Sequence, residues 1–342
     1  MKKETEEKTM KKLLSIALAL CLALALTAPA MADGTVKIGM VTDVGGINDQ
    51  SFNQFAWAGL QNLAAEDPTF EVQFLESKTD ADYQTNINTF IDEGYDLIIC
   101  VGYMLADATK EAAEDNPEQF FAIIDDASID LPNVACLTFA QEQCSYLVGL
   151  IAGYMTQSKT VGYVQGMVSD TMNLFGVGYI SGVLEACPEA TVLQYNANSF
   201  VDTAGGATAA KDMITKGADV IYHAAGGTGA GVLNTCQEEG IWGIGVDSDQ
   251  YLVMGLDRIL TSALKDTGAG AVDIAKAVKA GEFVGGVHHY TLSDGAIGFA
   301  TTNEQLPADV LEKVEAAKAA IIAGEFVVPT TVDACPAFTL DD

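Results

Sequence analysis

Carboxylates, amides and aromatic residues recur at regular places in this 342-residue chain. The segment from Asp43 to Gln54 holds Asp43, Asp49, Asn48, Gln50, Asn53 and Gln54 around Phe52. Gly102, Tyr103 and Asp107 form a second group, and Asp125 with Asp126 a third. Further groups are Gly166, Asn198 to Asp202 with Phe200, Gly226 to Gly229, and Asp247-Ser248-Asp249-Gln250. Each group follows a short apolar run. Carboxylates accept hydrogen bonds from hydroxyls, and aromatic faces stack on flat apolar groups. Such a set suits a neutral polar ligand with a flat apolar part.

Other chemistries find less support. His223, His288 and His289 have no partner at metal-ligand spacing, so they read as core or surface residues. The chain has no CxxC pair, Walker motif, HExxH or GxSxG. Gly227-Thr228-Gly229-Ala230-Gly231 resembles half of a dinucleotide fingerprint, but its third glycine is displaced. We read it as a cleft loop whose backbone N–H groups, Gly227 among them, face a ligand at a helix start. Clustered aspartates could also activate water in a secreted nucleoside hydrolase. No nucleophile and base can be paired, however, so the expectation is a binding protein with no cofactor or metal. Ordinary roles compete at each position. Asp43, Asp49 and Ser51 are good helix caps, Phe52 could start an apolar face with Phe55 and Leu60, and a helical lysine at 265 would normally be solvated.

The elements that carry these groups alternate. Apolar runs at 36–42, 70–76, 96–102, 120–125 and 134–139 predict strands. Between the first four lie helical patterns at 51–65, 80–93 and about 105–115. A second series follows a helix at about 142–157. It has strands at 160–165, 191–196, 219–225 and 242–247, and helices near 174–186, 204–216 and 230–239. Alternation of this kind argues for βαβ units and parallel sheets. The expected class is α/β, with two doubly wound parallel-sheet lobes joined by a hinge. Ligands then sit outside the carboxyl ends of the strands, in the cleft between lobes. Residues 260–280 read as one helix; VGGVHHYTL, GAIGFA and a last helix at about 308–323 follow and return to finish the two lobes. The expected division is 36–140 with about 256–290 for the N-terminal lobe, and 141–255 with about 291–342 for the C-terminal lobe.

Residues 1–32 read as a signal peptide: Lys11 and Lys12, an uncharged run from Leu13 to Leu26, then Ala30-Met31-Ala32. Cys21 lies in the apolar run, but Leu20 is not the small residue a lipobox needs, so a lipid anchor is the lesser alternative. The expected location is outside the cytoplasmic membrane, as a monomer. The full chain carries 17 basic and 47 acidic residues. Such acidity repels phosphate backbones, so nucleic acid is not an expected partner. Cys100, Cys136, Cys144, Cys187, Cys236 and Cys335 read mostly as free thiols, since Cys100 and Cys136 end or occupy apolar strands.

The segment DVGGINDQSFNQFAWAGL (43–60) resembles the signature of the basic membrane protein family. FAIIDD (121–126), EQCSYLVGLIAGYMTQSKTVGYVQG (142–166), GADVIYHAAGGTGAGV (217–232), GVDSDQ (245–250) and LTSALK (260–265) follow in order. The resemblance spans roughly Val36 to Phe299. It implies a type I periplasmic binding protein fold and a substrate-binding component of an ABC transporter, with permease and ATPase partners. Several family members bind purine nucleosides. By that resemblance Phe52 and Phe200, with Phe175 as rival, would sandwich a purine. Asp43, Asp49, Asn53 and Asp126 would give polar contacts from the first lobe. Asp247 would hold ribose hydroxyls and Lys265 would complete the ribose pocket. The family's usual lipobox cysteine has no clear counterpart here. Another small polar solute, a sugar, or a sensor role would use the same cleft.

Overall fold

The computed structural model describes residues 34–340, and the signal-peptide reading lies outside the described residues. The chain folds into two six-stranded sheets. The first contains β1 (Val36–Val41), β2 (Phe70–Leu75), β3 (Leu97–Val101), β4 (Phe120–Ile124), β5 (Val134–Phe139) and β11 (Gly286–Tyr290), in the order β11-β5-β4-β3-β1-β2. The second contains β6 (Thr160–Gln165), β7 (Thr191–Asn196), β8 (Val220–Ala224), β9 (Trp242–Asp247), β10 (Ile259–Lys265) and β12 (Ile297–Phe299), in the order β12-β10-β9-β8-β6-β7. All pairings are parallel except β10 with β12.

The period of two within each strand divides the core. On the first sheet, Ile38, Met40, Ile99 and Ile124 pack beneath α1 (Phe52–Glu66) and α9 (Thr267–Ala280). Their neighbours Val41, Ile98, Cys100 and Ile123 pack on the other face beneath α2 (Ala81–Asp92) and α3 (Ala106–Asp115). A strand covered on both faces must be apolar throughout, which is why LIICV has no polar residue. The second sheet repeats the scheme. α4 (Gln141–Met155) and α5 (Asp170–Ala186) cover Tyr163, Tyr222 and Ile244. α6 (Thr203–Thr215) and α7 (Gly226–Glu239) cover Val164 and Ile221. α8 (Gln250–Met254) is a single short turn, and α10 (Ala308–Ile322) packs on α4.

α4 and α5 approach backbone to backbone through glycine. A Cβ on Gly182 would lie 2.1 Å from the Tyr146 carbonyl oxygen, and one on Gly178 2.2 Å from that of Glu142. Gly182→Ala therefore has to separate two helices rather than move one side chain. It should destabilise the protein by about 1–3 kcal/mol, read as a lower midpoint in urea unfolding.

The segment 260–280 is not one helix. Ile259–Lys265 is strand β10, and α9 starts only at Thr267, after Asp266 accepts a hydrogen bond from the Ala269 N–H at 2.8 Å. A short apolar run cannot be assigned by periodicity alone, and the Asp266 cap is the stop signal that separates strand from helix. Lys265 accordingly ends a strand instead of decorating a helix. β10 pairs with β9, so residues 256–265 go with the second sheet and not with the first lobe as expected. The chain crosses between lobes after Phe139, after Lys265 and after Tyr290. All six cysteines among the described residues are free thiols.

Candidate functional site

The carboxyl ends of the two sheets face each other across one cavity. It contains about 540 Å³ of empty space, counting the part open to solvent. The first lobe contributes Asp43, Asp49, Phe52, Asn53, Tyr103 and Asp125. The second contributes Met172, Phe175, Phe200, Gly226, Asp247 and Lys265.

The loop after β1 is held by its own polar side chains. Asp43 Oδ1 accepts from the Gly45 N–H and from Asn53 Nδ2, each at 2.8 Å. Asp49 caps α1: its carboxylate accepts from the N–H groups of Ser51, Asn53 and Gln54 at 3.0, 2.8 and 3.1 Å. The capping and cleft-lining readings of Asp49 thus hold together. A helix that begins this way aims Phe52 and Asn53, on its first turn, at the cleft.

Two equivalent strands place the other acids. β4 and β9 occupy matching positions in the two sheets. Each is followed or ended by an aspartate in the left-handed region, Asp125 at φ 67° and Asp247 at φ 61°. That conformation is uncommon outside glycine but accessible to Asp. It turns both carboxylates into the cavity.

Four aspartates meet one cation there. Lys265 is only 1% exposed, and its ammonium pairs with Asp125 of the opposite lobe. It also lies 4.9 Å from the ring centre of Phe52, 5.2 Å from Phe175 and 5.4 Å from Phe139. Aromatic faces attract cations, so three rings and a carboxylate enclose this charge. Asp247 accepts from the Ser51 hydroxyl, also across the lobes. The described state is therefore closed.

Burial dominates the titration of the unpaired acids. It pushes Asp43 up to about 7, against the hydrogen bond from Asn53 and with help from the charge on Asp49. It pushes Asp247 up to about 6, although Lys265 and Ser51 pull the other way. Asp49 is raised for the same reason, less its backbone hydrogen bonds. The donors to Asp43 and Asp247 each reach one carboxylate oxygen, and Asp125 Oδ1 has none, so a ligand hydroxyl or N–H would find acceptors there.

Two expected positions fall elsewhere. Asp126 does not line the cavity. Its carboxylate accepts from the Ser128 N–H and hydroxyl at 2.8 and 2.7 Å, and Asp125 takes its place. β4 ends at Ile124, so the first residue past the strand reaches the cleft and the second caps a turn. Gly227 lies one residue too far along: Gly226 lines the cavity, and the Gly227 carbonyl accepts from the Thr203 hydroxyl. The glycine run is the first turn of α7 rather than a loop. Asp43, Asp49, Phe52, Asn53, Phe200, Asp247 and Lys265 do come together there, and Phe175 joins Phe200 rather than replacing it. Met172 had no signal in the sequence; only the fold of α5 brings it in.

The family of ABC transporter substrate-binding proteins described as PnrA-like matches residues 36–331. The chain belongs to that family. It is 38% identical over 312 residues to the CD4+ T-cell-stimulating antigen of Listeria monocytogenes, covering 85% of this chain and 87% of that one. It is 37% identical over 316 residues to the ABC transporter nucleoside-binding protein BmpA of Lactococcus lactis, covering 86% and 89%. A solved solute-binding protein of an ABC transporter system from Aeropyrum pernix superposes with a TM-score of 0.79 at 27% identity, over 88% of this chain and 96% of the other. Substrate-binding proteins of this family work outside the cytoplasmic membrane and pass a small-molecule cargo to a permease and its ATPase. Among the described residues no helix is long and apolar enough to cross a membrane.

Proposed function

We propose that this substrate-binding protein carries a nucleoside, with a purine base, in the cleft between its lobes. One observation carries the reading: aromatic rings from both lobes and donor-poor carboxylates line the same closed cavity. Phe52 enters from the first lobe, Phe175 and Phe200 from the second. A base between them would stack as the cleft closes. Asp43, Asp49 and Asn53 would meet its polar edge, and Asp247 with Lys265 the ribose hydroxyls. The relative named as nucleoside-binding supports the same cargo. The reading is of a carrier rather than an enzyme, in line with the substrate-binding family to which the chain belongs.

Specificity follows from what each ligand leaves unpaired. A free base offers no ribose hydroxyls and leaves buried carboxylates without partners, at about 1–3 kcal/mol each. A nucleotide adds about two negative charges to a cavity with four carboxylates and one lysine. Both should bind far more weakly than the nucleoside. The test is isothermal titration of refolded, ligand-stripped protein against adenosine, guanosine, inosine, cytidine, uridine, adenine, AMP and ribose. Purine nucleosides should bind most tightly. Phe52→Ala should cost about 1–3 kcal/mol of that affinity, the usual worth of one base–aromatic stack. Heat from ribose alone would replace the nucleoside by a sugar, and no heat from any of them would remove the cargo assignment.

A further inference from the structure

His223 and Gln250 lie beneath the cavity floor and neither lines it. Both are fully buried at 0% exposure, which is costly for polar side chains without a purpose. Gln250 sits in the first turn of α8, just past Asp247. Its Oε1 accepts from the Val246 N–H at 2.9 Å and faces His223 Nε2 at 2.9 Å. A backbone N–H can only donate, so that atom of Gln250 is the amide oxygen. His223 must then meet it with a proton on Nε2. Burial supports this neutral ring by pushing His223 down to about 4. The room for the ring comes from Gly229, where a Cβ would lie 1.9 Å from Nδ1.

With its oxygen held twice, the amide nitrogen has one direction left. It donates to the Gln50 carbonyl of the other lobe at 3.0 Å. The Ser248 hydroxyl stands 3.5 Å from the same oxygen. Gln50 adopts φ 57°, a left-handed conformation that a non-glycine residue holds only when its surroundings impose it. It lies between Asp49, which caps α1, and Ser51, which reaches Asp247.

We infer that Gln250, positioned by His223, is a latch that holds the closed cleft by gripping the Gln50 carbonyl, and so sets how long a ligand stays. The latch touches the protein and not the ligand. Its contribution is absent when the lobes part and present when they meet, so it acts on release more than on capture. His223 is a positioning residue: it fixes which way the Gln250 amide points. The inference rests on the interlobe cleft being the ligand site, but not on the ligand being a nucleoside.

Gln250→Glu isolates the latch. The remaining oxygen still accepts from Val246 and His223, while the donor to Gln50 becomes a second acceptor. With radiolabelled inosine as probe, dissociation should speed up on the order of tenfold to a hundredfold, with association within about threefold of wild type. As pH falls toward 5, the variant's rate should return toward that of wild type at the same pH. Once protonated, the carboxyl introduced by Gln250→Glu can again donate to Gln50, whereas a purely structural lesion would not recover. His223→Phe should give a smaller acceleration, and adding it to Gln250→Glu should add little. A dissociation rate within about twofold of wild type, or a fast rate that acid does not recover, overturns the latch. If wild type binds no nucleoside, the cargo assignment fails separately. X-ray scattering of the two ligand-free proteins then decides: a larger radius of gyration for Gln250→Glu supports the latch, and equal radii overturn it.

Discussion

Lys265→Met should weaken ligand binding by on the order of two to three powers of ten, while shifting the melting temperature of the ligand-free protein little. The ammonium of Lys265 and the carboxylate of Asp125 belong to different lobes and meet only in the closed cleft. Removing one partner from a buried pair typically costs about 3–5 kcal/mol, because the other charge stays buried without compensation. The open form escapes that cost by returning Asp125 to water. The penalty therefore falls on the closed form, which the ligand-free protein populates in exchange with the open one and which ligand selects. Methionine keeps an apolar side chain of similar length, while the ammonium's contacts with the Phe52 and Phe175 rings are lost with the charge. Adding Asp125→Asn should recover part of the affinity, since no unpaired charge is then left inside. Isothermal titration of the two single variants and the double variant measures this. Equal losses in the single and double variants would assign Lys265 to direct ligand contact alone.

The second large effect runs in opposite directions for stability and binding. Asp43→Asn should stabilise the ligand-free protein near pH 7.5 and weaken its ligand affinity. Burial raises the Asp43 carboxyl from 3.8 to about 7 in the folded cleft. A raised acid binds its proton more tightly folded than unfolded. Its favourable share is complete below about pH 4 and is lost as pH rises to about 7. At about 1.36 kcal/mol per pH unit that span is worth on the order of 4 kcal/mol in the closed form, and less in the open form, where burial is smaller. Asp247, raised to about 6, contributes in the same direction over a narrower window. The melting temperature of ligand-free wild type should thus rise between pH 7.5 and 5, and rise less in Asp43→Asn. Asparagine keeps the oxygen that accepts from Gly45 and Asn53, so the loop after β1 stays in place. What it loses is the second carboxylate oxygen, open to a ligand hydroxyl or N–H. Scanning calorimetry across pH checks the first half, and titration at pH 7.5 the second. The two outcomes together would mark the acidic cavity as a site whose instability is repaired by cargo.

Strands β1 to β9 were legible chiefly because a strand covered on two faces has to be apolar along its length. DLIIC, FFAII and DVIYHA leave no other economical reading. The position of the polar groups followed from the same rule, since residues just past the carboxyl ends of parallel strands face the cleft. That rule marked the groups that hold Asp43, Phe52, Phe200 and Asp247, and the family resemblance picked those residues out of them. Signals of single-residue precision were weaker. The choice between Asp125 and Asp126 depends on where β4 stops and on which aspartate turns left-handed, and only the folded backbone decides that. Gly226 and Gly227 differ in the same way. Pattern alone misplaces Lys265 on a helix because six residues of mixed apolar and small character carry no period, and pairing with β9 is a long-range event. The meeting of Lys265 with Asp125, of Ser51 with Asp247, and of Gln250 with Gln50 joins residues about 140 to 200 positions apart. Local sequence set the elements and the chemistry at their ends. Which of those ends touch is a property of two lobes closing on each other, and it exists only in three dimensions.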